Sequence, residues 1–201
     1  KTASVPQPLF AAGQPITARP DVSVHPNGGY MVTFGTGRYV DVSDTAAGAA
    51  QALYGVRDNG AVVSAAQIVD QSVLGTTTGA DGRTYRISTH AVGAPAATSF
   101  VGDNVVSTTL YASDKLGWKL ALPSSGERIV NQTAVRYGKV VASTVIPSSA
   151  ACSYGGDGWV MEVDVLTGNR ADIPALDTDA DNDVDSSDIL GYSGGQAHAS
   201  G

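Results

Sequence analysis

Gly158-Trp-Val-Met-Glu-Val-Asp-Val-Leu-Thr-Gly168 reads as a strand that closes in a tight turn. Valine and tryptophan favour extended backbone. Asp164 and Thr167 have the side chains to hydrogen-bond the local backbone, and Gly168 supplies a positive φ. Upstream lie Gly126-Glu-Arg-Ile129-Val-Asn-Gln-Thr-Ala-Val135, a turn at Arg136-Tyr-Gly138, and the strand Lys139-Val-Val-Ala-Ser-Thr-Val-Ile146. An earlier stretch repeats this order. Gly13-Gln-Pro-Ile16-Thr-Ala-Arg-Pro-Asp-Val22 keeps Ile and Val at the same offsets from Gly. The turn His25-Pro-Asn-Gly-Gly29 and the strand Tyr30-Met-Val-Thr-Phe34 follow. After an insert, Ala52-Leu-Tyr-Gly-Val-Arg-Asp58 ends at Asn59-Gly60. The unit is strand, turn, strand, insert, strand, turn.

Repeated antiparallel units of this kind predict an all-β fold of β-propeller blades. At roughly 40–50 residues per blade the chain supplies about four, so a partial propeller is expected. Further strands are predicted at Thr84-Tyr-Arg-Ile-Ser88, Asn104-Val-Val-Ser-Thr-Thr-Leu-Tyr111 and Gly117-Trp-Lys-Leu-Ala-Leu122. Ala65-Ala-Gln-Ile-Val-Asp-Gln-Ser-Val-Leu74 fits either a helical turn or a strand. Residues 75–82 read as a loop, 91–99 as a flexible excursion and 194–201 as a fraying tail. The expected division is blades over 1–170 and an acidic segment with a flexible tail over 171–201.

The acidity is local. Residues 172–188 hold seven acids and no base, and the rest of the chain has twelve acids against twelve bases. A neutral body without a basic cluster argues against nucleic acid and anionic membrane as partners. No apolar run approaches the roughly 20 residues of a membrane helix. No signal peptide is read in these residues, so a processed or excised piece is expected. Cys152 is the single cysteine and has no internal disulfide partner.

The acidic stretch is Asp177-Thr-Asp-Ala-Asp-Asn-Asp-Val-Asp-Ser-Ser-Asp188. Its carboxylates, Asp177, Asp179, Asp181, Asp183, Asp185 and Asp188, fall at positions 1, 3, 5, 7, 9 and 12 of a twelve-residue calcium loop. Ca2+ takes hard oxygen ligands, so the backbone must wrap the ion. The expected ligands are the side chains of Asp177, Asp179, Asp181 and Asp188, the carbonyl of Asp183, and Asp185 directly or through water. Asn182 stands at position 6, where glycine is usual, and Asn tolerates the left-handed turn. Val184 is expected to tuck inward. No long helix is readable on either side, so this is an EF-hand-like loop lacking flanking helices.

Motifs for catalysis are missing. Phe34-Gly-Thr-Gly-Arg-Tyr39 lacks the Lys-Ser/Thr and helix of a phosphate loop and is expected to be a hairpin. His25, His90 and His198 have no metal spacing, and His25 is expected at the surface of a turn. Asp157 and Glu162 are not paired for glycoside hydrolysis. Trp118 and Trp159 are expected to anchor the core or a blade edge.

Ala134-Val-x-x-Gly-x-Val140 followed by 158–168 resembles the blade repeat of quinoprotein-type propellers. Most of the chain resembles the C-terminal propeller of the PilY/PilC family of type IV pilus tip adhesins and biogenesis factors. The matching residues are Pro8-Leu-Phe10, Gln14-Pro-Ile-Thr-Ala18, His25-Pro-x-Gly-Gly-Tyr-Met-Val32, Phe34-Gly-Thr-Gly-Arg-Tyr39, Gln51-Ala-Leu-Tyr-Gly-Val-Arg-Asp58, Gly117-Trp118, Gly126-Glu-Arg-Ile-Val130, Thr144-Val-Ile-Pro147, Cys152 and 155–168. The resemblance implies a non-enzymatic, calcium-binding part of an extracellular or cell-surface protein, at the pilus tip or outer membrane. It implies support of pilus assembly, adhesion and twitching motility. The implied partners are pilus subunits or minor pilins, a host-surface receptor, and the remaining propeller and N-terminal adhesin region. Two other readings fit the residues: a calcium-stabilised carbohydrate- or matrix-binding module, and a fragment of a quinoprotein-like dehydrogenase. The vicinal cysteines often seen in such dehydrogenases are missing.

Overall fold

The structure, a computed structural model, describes residues 6–46, 48–88, 99–101, 104–106, 115–148, 156–170, 176–188, 190–193 and 196–198. It is all-β with almost no helix. Strands β1 (Asp21–Val24), β2 (Tyr30–Gly35) and β3 (Ala52–Asp58) form an antiparallel meander. A 3-10 turn, Ala65–Gln67, leads into β4 (Ile68–Gln71), so the ambiguous stretch holds both structures. Strands β5 (Val73–Thr78) and β6 (Thr84–Ser88) form a hairpin, as do β7 (Ser99–Val101) and β8 (Asn104–Val106). Strand β9 (Gly117–Ala121) lies between β3 and β4, giving the sheet order β1-β2-β3-β9-β4. The second meander starts with β10 (Ala134–Arg136) and β11 (Lys139–Ser143). After the pair β12 (Ile146–Pro147) and β13 (Gly156–Asp157), strand β14 (Val160–Asp164) completes it.

The repeat seen in the sequence is a repeat of structure. Gly13 and Gly126 both have positive φ, and β1 and β10 both begin eight residues later. Asp58 and Asp164 end the third strands, and each carboxylate accepts the N–H two residues on, from Gly60 and Leu166. Asp164 also accepts from Thr167, and Gly168 sits at φ +67°, as the Thr-Gly turn requires. The Tyr137-Gly138 turn has φ +50° and +76°, the type I′ signature of a two-residue hairpin.

Each meander carries a row of three valines in register. Val22, Val32 and Val56 are cross-strand partners in the first, and Val135, Val140 and Val163 in the second. Alternation puts Met31, Leu53, Trp118 and Leu120 on the opposite face of the first sheet. The second valine row packs against that opposite face, in one core with Ile129, Ala142, Met161 and Val165. The two meanders therefore stack front to back. The first row faces away. Val56 is covered by a second core containing Phe34, Tyr54, Val63, Leu9 and Phe10, whereas Val22 stays exposed.

Three contacts hold the stack. Gly35 and Gly37 leave room for Ile129 and Arg128; a methyl on Gly35 would lie 2.2 Å from Ile129 Cγ2. Ile129 donates to the Thr36 carbonyl, and the Arg128 guanidinium donates to the carbonyls of Arg38 and Ala46. Trp118, fully buried, lies between its cross-strand partner Gly55 and Gly168, and donates from Nε1 to the Val165 carbonyl. Glu127 and Arg86 form a buried bidentate pair at 2.6 and 2.9 Å. Arg86 also stacks over Trp159 at 4.0 Å, which makes Trp159 a structural anchor. Burial pushes the Glu127 carboxyl up, but hydrogen bonds from Arg86, Thr144 and Ser124 outweigh it and leave it below its ordinary 4.5.

Several expectations need correction. Gly75-Thr-Thr-Thr78 is strand, not loop, because three β-branched residues in a row fit a pleated hairpin. Phe34–Tyr39 is no tight hairpin; β2 ends at Gly35, and the chain reaches β3 only after the 3-10 turn Val42–Thr45. There Arg38 and the N–H groups of Val40 and Asp41 hold the Asp44 carboxyl down at about 2. His25 is only 4 % exposed. Its Nδ1 accepts the Asn27 N–H, while Arg57 donates to the carbonyls of Asn27 and Gly28, so the turn folds over its own histidine. Burial and the nearby Arg57 lower its pKa. Within 194–201, expected to fray, Gln196–His198 form β16, which pairs with β15 (Gly191–Ser193) just before it. His90, Cys152 and most of the 91–99 excursion lie outside the described residues.

Two outcomes follow from this packing. Gly35→Ala should destabilise the fold by ~1–3 kcal/mol or more, since Ile129 is itself buried and has no room to retreat. A urea midpoint equal to wild type would contradict the close approach. Arg86→Gln should cost ~3–5 kcal/mol by leaving Glu127 buried and unpaired. The lowered Glu127 carboxyl contributes stability that is complete above its ordinary 4.5 and is lost as pH falls through the lowered value. Urea midpoints between about pH 6 and pH 3 should therefore fall less steeply in Glu127→Gln than in wild type.

Candidate metal centre

The acidic loop follows β14 and its Thr-Gly turn in the chain, and it docks on the tip of the β5–β6 hairpin. Ala80 donates to the Thr178 carbonyl at 2.9 Å, and the Tyr85 hydroxyl contacts both the Asp81 carboxylate and the Asp177 carbonyl. Gly79 lies so close to Thr178 that a methyl there would meet its carbonyl oxygen at 2.5 Å. Leu190, just past the loop, is buried, and Arg170 donates to its carbonyl.

The loop winds by carboxylates accepting backbone N–H groups. Asp177 accepts from Ala180 and Asn182. Asp181 accepts from Asp183, and Asp183 from Val184. Asp185 caps the short 3-10 turn Ser186–Asp188 through Ser187, while Asp188 reaches back to the Asp185 N–H. Two residues sit at positive φ: Ala180 at +65° and Asn182 at +70°. Asn182 thus takes the left-handed turn expected at position 6.

Asp177, Asp179 and Asp188 are brought together, each offering a carboxylate oxygen within 4.8 Å of the others. Asp188 is only 2 % exposed and accepts from the N–H groups of Thr178, Asp179 and Asp185. Those hydrogen bonds, Asp185 foremost, hold its carboxyl below the usual range. Asp181, Asp183 and Asp185 lie outside the group of three, although Ser187 links Asp185 to Asp179 through its hydroxyl. Val184 is 45 % exposed rather than tucked inward. Ile189 lies outside the described residues. The sequence reading missed Thr178, whose buried hydroxyl bonds the Asp188 carbonyl and carboxylate. Nothing in the loop spacing signals it, since position 2 carries no ligand. The donor set is all carboxylate oxygen, which suits a hard divalent cation such as calcium or magnesium and not a thiophilic metal.

No protein-family model matches the chain. It is 30 % identical over 178 residues to a type IV pilus biogenesis factor PilY1 homolog of Xylella fastidiosa, covering 83 % of this chain and 11 % of that protein. It is 26 % identical over 211 residues to the type IV pilus biogenesis factor PilY1 of Pseudomonas aeruginosa, covering 92 % of this chain and 17 % of that protein. The chain thus spans less than a fifth of the length of these relatives. Among solved structures, the crystal structure of the Pseudomonas aeruginosa PilY1 C-terminal domain superposes with a TM-score of 0.72 at 25 % identity, covering 96 % of this chain and 40 % of that one. Over most of its length, this chain is a homologue of the PilY1 proteins and shares its all-β architecture with the PilY1 C-terminal domain.

Proposed function

We propose that the chain is a non-enzymatic part of a type IV pilus biogenesis protein, displayed at the cell surface. In this reading it is a partial, quinoprotein-like β-propeller finished by a calcium clasp. The front-to-back stacking of two like meanders supports the propeller, because face-to-face sandwiches bring equivalent faces together and propellers do not. The exposed Val22 and Val24 on the far face of the first meander suit the packing of a further blade. Pilus subunits or minor pilins are the partners, and pilus assembly, adhesion and twitching motility the processes, that the relatives' role suggests.

The observation that carries the calcium reading is the convergence of Asp177, Asp179 and Asp188 in a loop already wound to the twelve-residue spacing. These three side chains would hold the ion, with Asp181, the Asp183 carbonyl and Asp185 completing the shell. Calcium would supply the positive charge that turns carboxylate repulsion into attraction. The loop's own residues do the rest. Thr178 and Tyr85 fix it to the β5–β6 hairpin, so a loop ordered by the ion also fixes Leu190 on the body.

Calorimetric titration with calcium should release heat and raise the melting temperature, since only the folded state presents the site. Asp177→Asn with Asp179→Asn should abolish both effects, while Asp183→Asn, which keeps its carbonyl, should keep most of the binding. Absence of calcium heat in the wild-type chain would overturn the metal assignment. For the pilus role, a full-length protein lacking these residues should fail to restore surface pili to a strain without the protein. Normal piliation would contradict that role.

A further inference from the structure

A cleft of about 490 Å³ runs between two strand edges. One wall is 158–163, along β14, and the other is 84–88, along β6. Each of these strands has a partner on one side only among the described residues: β11 for β14, and β5 for β6. The hydrogen-bond phase shows which backbone groups face the gap. Trp159 accepts from Thr144 and Val165 donates to Gly138, so the odd-numbered residues of β14 bond toward β11. The N–H and C=O groups of Val160 and Glu162 then point the other way. On β6, Gly79 donates to Arg83, which puts Tyr85 in phase with β5 and turns the backbone of Thr84 and Arg86 outward. Leu120, Ile87 and Met161 supply an apolar floor. Unpaired edges over an apolar floor are the parts of a β-augmentation site.

We propose that this cleft accepts one extended peptide strand from a protein partner, with apolar side chains at alternate positions and a basic residue at one end. The charge is read from the cleft's mouth. Asp188, Thr178 and Leu176 line it, next to Asp177 and Asp179, in the acidic segment of an otherwise neutral chain. Three arginines line the cleft too, and each is engaged: Glu127, Ser124 and the face of Trp159 hold Arg86, Asp81 pairs with Arg83, and Arg170 donates to the Leu190 carbonyl. A partner carboxylate at that end would meet repulsion, and a lysine or arginine attraction. The inference goes beyond the pilus and calcium reading: strand addition needs no ion, and the charge preference is that of the ion-free loop.

The probe is a fluorescein-labelled heptapeptide, Lys-Val-Thr-Val-Thr-Val-Thr, titrated by anisotropy against the whole chain in a chelator. The peptide should bind, and N-methylation of the amides on one edge should weaken it at least tenfold, since those hydrogen bonds are lost with side chains unchanged. Replacing the lysine by glutamate should weaken it further at low salt. Val160→Pro removes an outward N–H from an exposed edge position that tolerates proline, and it should lose the peptide while keeping the wild-type circular dichroism. No binding at millimolar peptide, or equal binding of the N-methylated peptide, would overturn the proposal. The second result would mean apolar docking without strand addition.

Discussion

The seating of Arg128 and Ile129 against Gly35 and Gly37 is the constraint on which the rest of the structure depends. Ile129 fills space that two glycines leave empty, and its N–H bonds the Thr36 carbonyl. Arg128 crosses to the carbonyls of Arg38 and Ala46 and so also fixes the link between β2 and β3. One residue earlier, Glu127 captures Arg86 of the β5–β6 hairpin. Three consecutive residues thus join both meanders and the hairpin. A larger residue at Gly35 would clash with Ile129, which is fully buried, so the front-to-back stack itself would have to part.

From that joint the loop's position follows. Arg86 places β6, β6 carries Tyr85 and places the turn at Ala80, and these two receive Asp177 and Thr178. Trp118 closes the circuit from the other side, held between Gly55 and the Thr-Gly turn that leads to the loop. The carboxylates are therefore not on a free tail. Their mutual repulsion is borne by a scaffold of backbone N–H groups donated by Thr178, Ala180, Asn182 and Asp185. Such a scaffold brings three of the six carboxylates together and leaves the others turned to their own backbone.

Much of the fold was legible in the residues. The meanders, the Asp-x-x-Thr-Gly turn and the left-handed Asn182 each follow from local chemistry, in which spacing and side chain set the backbone. Gly-Thr-Gly-Arg and Gly-Glu-Arg-Ile stood out as separate motifs, but nothing in either says that it packs against the other. That contact is tertiary, about 90 residues apart along the chain, as the Arg128–Arg38 bond shows. The same reason hid His25 and Val184. A histidine before proline reads as surface until Arg57 is seen to clamp the turn, and loop position 8 reads as inward only when paired helices give it a core. Residues 75–78 read as loop through the glycines at 75 and 79, whereas the three threonines between them continue the strand begun at Val73.

The central claim is that residues 127–129 are the joint of one cooperative body. Amide hydrogen exchange of Ile129 and Val145 tests it most directly, since their N–H groups bond Thr36 and Arg128. Exchange of both with the free energy of global unfolding, the same as that of the Val140 and Val163 amides in the second valine row, is the predicted result. Exchange of Ile129 at the rate of an exposed loop, while Val140 stays protected, would contradict the account.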